Sequence, residues 1–248
     1  MIAPTAVARS RADGYTLLLG APTLATVRAT MKNLPIDPMK DLDAVSQLVE
    51  SPYVVTVNAS LPVKDLKSFV DYSKANAGRL NYGSWSTGGQ LMYGFFRQLT
   101  GADLSHVGYK GEAITVNAVA ANEVQAAFAT SVNVVAGVAA GTLRALAVTG
   151  SSRISSLPDT PTTAEAGVKE FVATVWFGVF APAGTPNNIK TKLSAEIVQI
   201  AKLDDVIDRL KIVGFTPKTS TPDDFTKFVS SEEKRWLEIA ATVGITPQ

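Results

Sequence analysis

Between Tyr53 and Gly150 the chain alternates short apolar runs with longer amphipathic stretches, and this alternation constrains the fold more than any single residue. "YVVTVNA" (53–59), rich in β-branched residues after Pro52, has the composition of a buried strand. "VKDLKSFVDYSKANAG" (63–78) then spaces Leu66, Phe69, Val70 and Tyr72 along one helical face and closes on Gly78, a C-cap residue. The same pairing recurs with strands at 80–84, 104–109, 124–130 and 143–150 and helices at 88–101, 114–123 and 133–141. Strand followed by helix, repeated, predicts a doubly wound, mostly parallel α/β fold.

The flanks extend the pattern. "YTLLLG" (15–20) reads as a buried strand, and "ATVWFGVFAPAGTP" (173–186) as a strand crossing between lobes and stopped by prolines. The polar, proline-punctuated segment 151–167 predicts a surface loop with a short helix near Thr163–Ala166. Pro186 opens a helix over 186–203 with Ile189, Leu193, Ile197 and Ile200 at helical spacing. The stretch 221–244 is the clearest helix, with Thr221 as N-cap and Phe225, Phe228, Val229, Trp236 and Ile239 as its apolar stripe.

Composition removes several function classes. With 23 basic and 22 acidic residues in 248, the chain has no basic excess for a nucleic-acid surface. It has no cysteine, which excludes disulfides, thiolate metal sites and cysteine nucleophiles. No apolar run approaches the ~18 residues of a membrane-spanning helix, and no signal peptide is visible at the start. Taken alone the chain reads as soluble and cytoplasmic, or as a mature fragment, and no cofactor and no metal is expected.

In parallel α/β sheets ligands gather where strands end and helices begin, because unpaired N–H groups and the helix dipole favour anions there. Three junctions have suitable composition. "GSWSTGGQ" (83–90) offers the hydroxyls of Ser84, Ser86 and Thr87 with Gly88 and Gly89, either as a cradle for a carboxylate or phosphate or as a capped glycine turn. "YKG" places Tyr109, Lys110 and Gly111 before a helix; Lys110 reads as an exposed loop lysine rather than a Schiff-base lysine, and no Walker A pattern surrounds it. "FATSVN" ends a strand with Thr130 and Ser131, which line a ligand site or cap the next helix. His106, the only histidine, lies within a strand pattern and reads as structural. The acid pairs Asp41/Asp43 and Asp223/Asp224 read as solvated faces and caps. No H-E-x-x-H, G-x-S-x-G or G-x-G-x-x-G motif occurs, so an enzyme built on His106, Tyr109 and Lys110 has no assembled base, nucleophile and oxyanion set.

The ordered landmarks "ADGYTLLLG", "LPVKDLKSFVDYSKANAGRLNYGS", "HVGYKGEA", "GTLRALAVTGSSRISSLPDTPTTAEAG" and "WFGVFAPAGTP" resemble the solute-binding proteins of tripartite tricarboxylate transporters, the Bug family of periplasmic receptors. The resemblance runs from about Ala12 to Gly244. It implies a type II periplasmic-binding-protein fold, two doubly wound lobes around a ligand cleft that closes on a small organic anion. The implied lobes are residues 1–101 with 181–248, and residues 102–180. It further implies a monomer in the periplasm that hands an organic acid to the membrane subunits of a transporter or to a sensor protein, with a metabolite-sensing module as the alternative to transport. Carried over by position, Ser84, Trp85, Ser86, Thr87 and Gly88 form the first-lobe loop, Tyr109, Lys110 and Gly111 the second-lobe loop, and Thr130 and Ser131 the next.

Three departures accompany the resemblance. Family members carry a signal peptide, a first strand and a glycine-containing ligand loop ahead of the position of Ala6, and the chain is read as lacking them. The family's "PYKGG" stands here as "GYKGE", so Glu112 brings negative charge to a place where an anion would approach. The first-lobe loop is short and carries Trp85, which either favours an aromatic or apolar acid or packs on the loop itself.

Overall fold

The structure is a computed structural model that describes residues 1–247. In chain order the elements are α1 (Ile2–Ala8), β1 (Leu18–Gly20), α2 (Thr23–Thr30), α3 (Pro38–Asp41), β2 (Leu42–Asn58), α4 (Leu66–Ala75), β3 (Asn81–Ser84), α5 (Thr87–Thr100), β4 (Ser105–Gly108), α6 (Glu112–Ala120), β5 (Ala126–Thr130), α7 (Ser131–Ala139), β6 (Leu143–Val148), β7 (Thr174–Pro182), α8 (Asn187–Ile200), α9 (Asp204–Ile212), β8 (Thr216–Pro217) and α10 (Pro222–Val243). The predicted strands and helices between 53 and 150 all form, with ends shifted by a few residues. The short helix expected near Thr163–Ala166 does not form. Thr163 N–H instead donates to the Val148 carbonyl at 2.8 Å and its hydroxyl to the Phe171 carbonyl at 2.6 Å, which pins the segment as a turn beside β6.

The chain divides into two compact units, residues 1–50 with 175–248, and residues 51–174. The division expected after residues 101 and 180 differs because β3 is paired in parallel with both β4 and β5, which binds 51–101 to the segment that follows. In the 51–174 unit the strand order is β6-β2-β5-β3-β4. Only β5, β3 and β4 form the expected parallel ladder; β2 runs antiparallel to β5 and β6 on its two sides. The sheet is therefore mixed rather than mostly parallel. Nearly every residue of β2 from Tyr53 onward is buried, as a central strand covered on both faces requires. Pro52 sits between the stretch of β2 paired with β8 and the stretch paired with β5, where neither ladder calls for its missing N–H.

The core of this unit is built from Val54, Val119, Ala127, Ala129, Val134 and Val148, small side chains that let α6 and α7 lie close to the sheet. Arg144 on β6 donates to the carbonyls of Ala59 (3.0 Å), Leu61 (3.1 Å) and Val63, satisfying a turn that has no ladder of its own. Asp65 accepts from Ser68 N–H at 2.7 Å and opens α4 with a capping box.

The other unit pairs β1 with β7 and β2 with β8, both antiparallel. Its core centres on Trp176, which meets Phe225 edge-on at 5.6 Å and Phe228 at 5.7 Å. The stripe predicted for 221–244 is the buried face of α10. Gly178 of β7 has no room for a side chain, since an added Cβ would strike the Phe225 ring and come within 3.0 Å of the Ser46 carbonyl.

Candidate functional site

Because β3, β4 and β5 are parallel neighbours, their carboxyl ends lie along one edge of the sheet, and each leads directly into a helix. All ten predicted site residues fall on these three turns. Two sets of bonds tie the turns together. Tyr109 N–H donates to the Ser84 carbonyl at 2.9 Å, joining the ends of β4 and β3. Glu112, the first residue of α6, accepts through Oε1 from both the N–H and the hydroxyl of Thr130, the latter at 2.6 Å, joining α6 to the end of β5.

At the first turn, Ser86 is the N-cap of α5 and its Oγ accepts from Gly89 N–H at 3.2 Å. The Thr87 and Gly88 N–H groups at the start of the same helix have no intrahelical acceptor. A Cβ on Gly89 would lie 2.8 Å from the Ser84 Cβ, so the helix passes over Ser84 at a distance only glycine permits. Ser84 is buried, and its Oγ lies 2.8 Å from His106 Nε2 on the neighbouring strand. His106 thus serves as a cross-strand brace at the edge of the candidate site. Partial burial of its ring, tilted against Tyr82 at 5.1 Å, lowers its pKa from the usual value.

At the second turn the three residues do different things. Tyr109 packs into the hydrophobic core of this unit, and so does Trp85 from the first turn. Trp85 therefore serves packing at least in part. Lys110 is exposed. Gly111 is extended, with φ −177° and nothing within 4 Å of an added Cβ, so neither strain nor crowding demands glycine there. Gly83 is the tight position instead: a Cβ would come to 2.6 Å of Thr115 Cγ2 and 3.1 Å of the Tyr109 ring.

At the third turn Thr130 and Ser131 are buried, and Asn133 Nδ2 donates to Thr130 Oγ1 at 3.2 Å. Tyr53 on β2 lies opposite Thr130 in the ladder, and its phenol pKa is raised first by burial and then by the Glu112 charge. Tyr53 and Asn133 are the members of this cluster that sequence reasoning did not single out. Asn133 stood in the junction already noted, whereas only the strand order reveals Tyr53. Neither α6 nor α7 has a side-chain cap on its first-turn N–H groups. A void of about 10 Å³ beneath the sheet among Phe69, Tyr82, Tyr93 and Phe128 is too small for an organic ligand. Among the described residues no group of three or more acidic or histidine side chains is arranged to hold a metal.

Residues 1–245 match the sequence family described as "Tripartite tricarboxylate transporter family receptor". The chain belongs to that family. It is a solute-binding receptor by that membership, on an α/β fold shared with solved members. BugT of Bordetella pertussis is 33% identical over 248 residues, covering 98% of this chain and 76% of BugT. The structure of R. palustris Rpa4515 with adipate is 33% identical with a TM-score of 0.88, covering 100% of this chain and 84% of that one. MatC from Rhodopseudomonas palustris with bound malate is 29% identical with a TM-score of 0.82, covering 96% of this chain and 83% of that one.

Proposed function

We propose that this receptor binds a small organic acid through the three turns that end β3, β4 and β5, and that its task is capture and delivery without bond chemistry. The observation that carries the reading is the convergence of three helix starts on one sheet edge in a chain of this family. The acid's carboxylate is received chiefly by the N–H groups of Thr87 and Gly88 and by the Ser86 and Thr87 hydroxyls, with Ser84 held beneath them by His106. Backbone donors at a helix start favour an anion without needing a countercharge from a side chain. Lys110 adds positive charge nearby, and Thr130 and Ser131 form the opposite wall of the same edge.

In this account the protein works in the periplasm and passes its ligand to the membrane subunits of a transporter. The adipate and malate seen in similar proteins indicate the size of organic acid to try first. Among the described residues no helix is long and apolar enough to cross a membrane.

A melting screen of the chain against organic acids tests the proposal. An acid held at about a hundred times its Kd stabilises the folded state by about 2.7 kcal/mol, which gives a rise of about 5–10 °C for a protein of this size. A panel of mono-, di- and tricarboxylates that leaves the transition of folded protein unmoved would overturn the reading.

A further inference from the structure

Glu112 takes hold of two of the three helix starts at the sheet edge. As the first residue of α6 it places its own negative charge at that helix's positive end. Through Oε1 it also accepts from Thr130, the N-cap residue of α7, engaging both its backbone N–H and its hydroxyl. The Thr130 N–H and hydroxyl, donors that a second carboxylate would meet at the end of β5, are thereby occupied by a carboxylate belonging to the protein. Only α5 begins with no acid in its first turn and no bond to Glu112. Oε2 of Glu112 has no hydrogen-bond partner among the described residues and is an available acceptor.

We propose that Glu112 is a specificity-determining residue that restricts the receptor to acids with one carboxylate and a hydrogen-bond donor, such as an amide, hydroxyl or ammonium, at the other end. This rests on the carboxylate-receptor reading above. The ligand's single carboxylate goes to the start of α5, and its donor meets the Glu112 carboxylate. A second ligand carboxylate would face the like charge of Glu112 with the Thr130 donors already taken, which selects against dicarboxylates while the free acceptor selects for donors.

The test is calorimetric titration of the full chain with matched pairs of probes, the unbranched four- to six-carbon α,ω-dicarboxylates and their monoamides. Wild type is expected to bind a monoamide at least tenfold more tightly than its parent diacid. Glu112→Gln, with Glu112→Ala as a second variant should either lose its fold, is expected to raise diacid affinity at least tenfold while changing the monoamide much less. Tighter diacid binding by wild type, or an unchanged ratio in both variants, overturns the inference and leaves the receptor reading standing. Absence of binding across every pair overturns it as well, and the receptor reading falls with it only if the wider acid screen is also silent.

Discussion

Glu112 and Thr130 are bound to each other across the edge of the sheet, the carboxylate accepting from both the threonine's N–H and its hydroxyl. Thr130 is buried, so removing either partner leaves polar groups without their bonds. Glu112→Ala is expected to lower stability by about 1–3 kcal/mol, and Thr130→Val by a similar amount, since a hydrogen bond to a charged group is the stronger kind. Urea unfolding of both single variants and the double variant measures this. The double variant should cost less than the sum of the two singles, because one interaction is being removed twice.

Gly178 makes a separate prediction in the other unit. Its φ is not in the left-handed region, so its cost on substitution is a matter of space. Gly178→Ala pushes a methyl into the Phe225 ring, itself wedged against Trp176, and should destabilise by about 3 kcal/mol. Gly111→Ala, with nothing near its added Cβ, should change stability by well under about 1 kcal/mol. Thermal unfolding of the pair separates a glycine held by packing from one that is merely present.

Arg144 gathers three carbonyls of the turn after β2. Arg144→Met keeps much of the apolar stem and removes the donors, and is expected to cost about 2–3 kcal/mol. Hydrogen exchange should show faster opening at Ala59–Val63 while β3 and β5 stay protected.

His106 sets a pH dependence. Its folded pKa lies below the usual value, so the unfolded chain takes up the proton first as pH falls. The unfolded state then binds more protons, and stability falls with pH below about 6.5, levelling off once the folded pKa has been passed. The effect is small because the ring is only partly buried. His106→Gln should flatten the melting temperature between about pH 6.5 and pH 5 relative to wild type, as read by calorimetry across that range.

Much of the 51–174 unit was legible because its strands are runs of Val, Ala and Tyr bounded by glycine or polar residues, and α4 and α5 open on side-chain caps. Other elements gave no such signal. In α2, "TLATVRAT" is a weak helix former, and five of its eight residues are buried, so its helicity depends on tertiary packing. The first half of β2 mixes Asp43, Ser46 and Gln47 with apolar residues and has no clean period, since its neighbours differ along its length. At the candidate site the turns were legible from hydroxyl and glycine content at strand ends. The pairs Glu112–Thr130 and Ser84–His106 were not, because strand order alone brings such distant residues together. The same order makes Gly83, on the strand beside the "YKG" turn, the glycine that crowding demands.

The most direct measurement of the central claim is a crystal structure of the chain with the acid that raises its melting temperature most. The account predicts a ligand carboxylate within about 2.7–3.2 Å of N–H groups at the start of α5, bounded by the ends of β4 and β5. An acid bound away from those three turns, with Thr87 and Gly88 untouched, would contradict it.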